Sequence, residues 1–105
     1  MADAADYIDN VKKFDPNADI EVVKKIVKHC GIALSSTDAS LVSCSDQSEK
    51  DRVRDGFCAK KLGMDAETGG MAVDAVCAEM QGESRKSRVT FYYLLAKNAG
   101  KLGDL

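Results

Sequence analysis

Any chemistry in this chain must come from a short set of residues. Arg85, Lys86 and Arg88 surround Ser87 in a basic cluster, at a point where a helix is expected to begin. Free backbone amides and the helix dipole attract anions there. Two guanidiniums can also grip a phosphate or carboxylate through paired hydrogen bonds. Arg85, Lys86, Ser87 and Arg88 are therefore the candidate anion- or partner-binding set. The same charges are unfavourable at the positive end of an isolated helix, so they call for a compensating anion. An aspartate of the N-terminal region would serve internally; a small anion or an acidic partner would serve externally. Three charges make a poor footprint for nucleic acid.

The thiols come next. Cys30, Cys44, Cys58 and Cys77 contain no CxxC, and no His-x₃₋₅-His accompanies them. The usual zinc spacings are absent, and neither a metal site nor a cofactor is expected. Cys30, Cys58 and Cys77 fall on apolar faces, where a free thiol behaves as a small hydrophobe. Cys44, in a serine-rich stretch just before a helix start, is the candidate reactive thiol, because helix starts lower thiol pKa values. His29 and Cys30 are adjacent, so on a helix they point about 100° apart and make no ready dyad. There is no GxSxG and no glycine-rich phosphate loop. Asp46, Glu49, Asp51 and Asp55 alternate with Lys50, Arg52 and Arg54 as on a solvated helix face. No catalytic residue emerges.

The element that must position these groups is RKSRVTFYYLLAK, residues 85–97. From Val89 to Ala96 only Thr90 is not apolar or aromatic, and a helix apolar almost all round is buried among others. Ser87 is the expected N-cap and Gly100 the expected left-handed residue after the helix. A strand is the rival, since Val, Thr, Phe and Tyr favour sheets; the Leu-Leu-Ala-Lys continuation favours helix. Upstream, residues 3–14 form an amphipathic helix ended before Pro16. Asn17 or Asp19 caps a second helix, with Ile20, Val23, Ile26, Val27 and Cys30 on one face. Glu21 and Lys25 make an i,i+4 pair, Lys24 and Lys28 face water, and Gly31 ends it. Residues 32–45 read as a short helical turn capped by Asp38 and containing Leu41 and Val42, or as a hairpin. Asp46 and Glu49 make a capping-box-like start for a charged helix to about Leu62, with Val53, Phe57, Cys58 and Leu62 inward. Gly56 in that helix suggests close packing. Gly63 and Met64 close it. Residues 65–70 read as a polar connection, and Met71–Gln81 as a helix with Val73, Val76, Cys77 and Met80 inward.

The fold class expected is all-α: one compact domain over residues 1–105, with five or six short helices around the C-terminal one. At 105 residues, 45% hydrophobic and 30% charged, the chain suits one globular domain rather than disorder. Residues 1–19 balance to −3 and residues 84–103 to +5, so the two ends are complementary in sign. No signal-peptide pattern and no run of ~20 apolar residues is visible. The compartment expected is therefore the cytoplasm, with the thiols reduced.

The stretches DPNAD (15–19), SDQSEKDRVRDGF (45–57) and RKSRVTFYYLLAK (85–97) together resemble a family of small, mostly bacterial proteins known only as a domain of unknown function. The resemblance spans nearly the whole chain and implies a self-contained bacterial cytosolic domain. It brings no activity and no catalytic residues. The functional expectation is a non-enzymatic cytosolic interaction module with a protein partner or a second copy of itself. The alternative is an anion- or metabolite-binding protein, or a small enzyme, with its site at the start of the last helix. A thiol sensor centred on Cys44 is a third reading. Nucleic acid and membrane are not expected partners.

Overall fold

The computed structural model describes residues 4–31, 40–83 and 86–104. The helices pack around one core as an all-α fold. A 3-10 turn at Ala4–Asp6 leads into α1 (Ile8–Lys12), followed by α2 (Ile20–Cys30) and α3 (Gln47–Val53). A π-helical turn, Arg54–Cys58, continues α3; then come α4 (Ala66–Glu79), α5 (Arg88–Asn98) and a 3-10 turn at Leu102–Asp104. Every residue of α5 from Arg88 to Ala96 is buried. It lies against α2, α4 and α1, which explains an apolar surface on all sides.

Local chemistry sets the ends. Asp19 caps α2 by accepting from the Glu21 amide at 2.9 Å, and Asp46 caps α3 through the Ser48 amide at 2.9 Å. Gly31, Gly63 and Gly100 take positive φ after their helices. At Gly63 the Met64 amide reaches back to the Cys58 carbonyl at 3.0 Å, and Met64 rests on the core. Ser87 takes the extended N-cap backbone of α5, but its side chain makes no cap bond. Its buried hydroxyl has no hydrogen-bond partner among the described residues.

Several expectations are corrected. Glu21 pairs with Lys24 at i,i+3 rather than with Lys25. Ile20 is 39% exposed, off the buried face. The paired glycines at 69–70 are not a connection: Asp65 caps through the Thr68 amide at 2.8 Å, and α4 runs straight through them. Gly69 is buried because α4 and the π-turn meet there. A Cβ on it would lie 3.0 Å from Arg54 Cγ and 3.3 Å from Cys58 Cβ. Gly56, read as the close-packing glycine, would have nothing within 4 Å of an added Cβ. Leu41 pairs in an antiparallel bridge with Ser87, so no helical turn forms at Leu41. The expectations for Ile32, Ala33, Leu34 and Asp38 lie outside the described residues.

Candidate functional site

Arg88 begins α5 and is 9% exposed. Its guanidinium forms an ion pair with Glu49 of α3. It also donates to the Tyr92 hydroxyl at 2.8 Å and to the Leu41 carbonyl at 3.4 Å. Burial pushes the Tyr92 phenol up, which keeps it a neutral acceptor beside the cation. Among the described residues the anion that Arg88 pairs with is thus internal, and it is Glu49 rather than an N-terminal aspartate. This use of Glu49 also breaks the expected capping box: its carboxylate serves Arg88 and Arg52. Lys86 donates to the Glu83 carbonyl at 2.9 Å. Arg85 lies outside the described residues. The sign complementarity of the two ends has a partial counterpart: Asp15, after α1, accepts from the Tyr93 hydroxyl at 2.6 Å. That bond, the nearby Asn17 amide and the Lys97 charge hold its carboxyl below the usual range, against some desolvation.

From Arg88 an aromatic stack runs across the molecule. The guanidinium lies 5.6 Å from the Tyr92 ring centre, within cation–π range. Tyr92 stacks on Phe57 of the π-turn at 4.3 Å and 17°. Phe57 in turn meets His29 of α2 edge-on at 5.2 Å. His29 opens onto a groove of about 410 Å³ lined by Lys25, Ile26, Lys28, His29, Phe57 and Lys61. That volume is in the range of small-molecule sites.

Two elements build the groove. Lys25 and Lys28 are three apart on α2 and so share a face. Lys61 follows the π-turn, where its amide and that of Leu62 both donate to the Phe57 carbonyl, at 2.9 and 3.2 Å. Lys25, Lys28 and Lys61 are all exposed, and none has a carboxylate partner among the described residues. Partial burial and the Lys61 charge push the His29 pKa below its ordinary value. The groove therefore presents three lysine side chains and an imidazole that binds its proton less tightly than usual.

The thiols divide into two kinds. Cys44 and Cys77 form a disulfide with a Cα–Cα distance of 5.9 Å. This corrects the expectation of four reduced thiols and of Cys44 as a free nucleophile, because a bonded sulfur carries no thiolate. Cys77 is half-buried and packs against the core, as does Cys44. Cys30 and Cys58 remain free, and burial pushes each up to about 11. Both are protonated at neutral pH, in keeping with their place on apolar faces.

The chain belongs to the family described as "Protein of unknown function (DUF2853)", whose model matches residues 6–103. No curated protein matches it. The fold class and family membership follow from the residues first singled out, whereas the groove does not. Its signal was two basic pairs, Lys24-Lys25 and Lys60-Lys61, with Lys28 nearby. Each pair alone reads as a solvated face, and only the packing of α2 beside the π-turn brings them together. No helix among the described residues is long and apolar enough to cross a membrane.

Proposed function

We propose that this protein is a non-enzymatic cytosolic binding module whose ligand is a small organic anion held in the α2/π-turn groove. The observation that carries this reading is the trio of exposed lysines without carboxylate partners among the described residues, Lys25, Lys28 and Lys61, around one concavity of ligand size. A carboxylate or phosphate would sit among the ammonium groups, and Phe57 and Ile26 form an apolar floor for the body of the ligand. The groups present suit binding better than catalysis. His29 has an aromatic ring rather than an acid against it, and the neighbouring Cys30 is a protonated thiol. The start of α5 is the weaker candidate, because Arg88 is already satisfied by Glu49 and Tyr92.

The test is calorimetric titration of the full chain with inorganic phosphate, citrate and 2-naphthoate. Saturable binding of at least one anion, lost in a Lys25→Ala/Lys28→Ala/Lys61→Ala variant and kept in Arg85→Ala, is the expected result. Loss in Arg85→Ala and Lys86→Ala instead would move the site to the last helix. No binding of any of the three, with a protein partner or second copy recovered by crosslinking, would replace the small anion by a macromolecule.

A further inference from the structure

Residues 40–46 join two parts of the fold. On one side the Val42 amide donates to the Lys86 carbonyl and the Arg88 amide to the Ser40 carbonyl, both at 2.8 Å. On the other side Cys44 is bonded to Cys77 of α4. The Leu41 carbonyl also accepts from the Arg88 guanidinium, Cys44 rests against the core, and Asp46 caps α3. Val42 is buried and Leu41 half-buried, but Ser43, Ser45 and Asp46 are exposed. Of residues 40–46 only Val42 is fully buried, and regions with few buried side chains open at lower cost than a core helix, so the covalent tie to α4 has leverage there. Both bonded cysteines are half-buried, with exposed neighbours Ser43, Ser45 and Ala78, so an attacking thiolate can approach. The two remaining thiols are poor competitors, since burial keeps Cys30 and Cys58 protonated and exchange requires a thiolate.

We propose that Cys44–Cys77 is a thiol–disulfide exchange site, opened by a thiol reductant of the glutathione class, and that opening releases residues 40–46 from α4 while the helical core stays folded. The reductant's thiolate attacks one of the two sulfurs. The Cys–Cys bond breaks, a mixed disulfide forms, and the displaced cysteine leaves as a thiolate that takes a proton. A second reductant thiolate attacks the mixed disulfide at the reductant's sulfur and displaces the other cysteine, which is protonated in turn. Two electrons pass to the protein, and the reductant departs as its own disulfide. This site lies apart from the lysine groove and does not depend on its having a ligand.

The full chain is equilibrated at graded ratios of reduced to oxidised glutathione, acid-quenched, and its free thiols counted by alkylation and intact mass. Amide exchange is followed on the same samples. The expected result is reversible passage between two and four thiols with unchanged helical circular dichroism. The Val42 and Arg88 amides then exchange at least tenfold faster in the reduced form, while Leu94 is unchanged. Cys44→Ser reproduces that exchange pattern without reductant. Four free thiols at every ratio, a bond that opens only on global unfolding, a bond mapped to Cys30 or Cys58, or unchanged Val42 exchange in Cys44→Ser would each overturn the proposal.

Discussion

Two clusters of positive charge lie at opposite ends of one aromatic stack, and they are treated in opposite ways. At the start of α5 the Arg88 guanidinium is buried and enclosed by Glu49, Tyr92 and the Leu41 carbonyl. Beyond His29, Lys25, Lys28 and Lys61 are exposed and form no ion pair among the described residues. Burial decides the role of each. A desolvated cation must be matched within the fold, and once matched it fixes the elements around it. An exposed lysine needs no partner, so its charge stays available to something from outside. The position with the stronger motif in the sequence is therefore structural, and the less conspicuous lysines are the better binding candidates.

The contrast predicts very different costs. Arg88→Ala leaves the half-buried Glu49 carboxylate with the exposed Arg52 as its remaining ion-pair partner and takes the donor from the Tyr92 hydroxyl, and is expected to cost about 3 kcal/mol, read from denaturant unfolding. Pairing Arg88→Met with Glu49→Leu should recover most of that loss. If the single variant costs under about 1 kcal/mol, the value of an exposed pair, Arg88 is not buried in the way described. Packing makes a similar distinction between glycines. Gly69→Ala must push Arg54 or Cys58 aside and should lose about 1 kcal/mol, whereas Gly56→Ala meets nothing and should gain up to about 1 kcal/mol from helix propensity. At the open end Lys61→Ala should change stability by no more than about 0.5 kcal/mol while weakening anion binding several-fold. A large stability loss there would erase the distinction between the two clusters.

The smallest effect sharpens the comparison through pH. The folded pKa of His29 lies below its ordinary 6.5, so the unfolded chain takes up the proton first. The fold should lose a little stability as pH falls from about 6.5 through the folded value. Anion affinity should move the other way over the same window, because protonation adds a fourth positive charge to the groove. His29→Gln should flatten both profiles. A pH-independent affinity in the wild type would place the anion away from His29.

Much of the fold was legible because local rules and tertiary packing agree. The all-round apolar character of Val89–Ala96 matches complete burial, and Asp19, Asp46, Gly63 and Gly100 act where capping chemistry puts them. The failures occur where a partner distant in sequence overrules the local pattern. Gly69 and Gly70 read as a loop by propensity, yet α4 needs a residue without a side chain at the point where it meets Arg54 and Cys58. Cys44 and Cys77 carry no spacing that marks them as a pair, because 33 residues and two other elements separate them. The groove is similarly non-local. One oversight was readable: Val53, Phe57 and Leu62 are spaced by four and then five, wider than an α-helix repeats and close to the spacing a π-turn requires.

That turn has a consequence for how the chain tolerates change in length. Each residue added to an α-helix rotates the downstream chain by about 100°, but the wide turn at Arg54–Cys58 winds its extra residue into a looser loop and passes little of that rotation on. Removing one residue from it, such as solvent-facing Asp55, lets ordinary α-helical winding resume while the next stretch keeps nearly the same angle. Leu62 would stay toward the core, and Lys61 would stay beside Lys25 and Lys28. A single-residue deletion here should thus cost less than the same deletion within α2, where nothing absorbs the change of angular register.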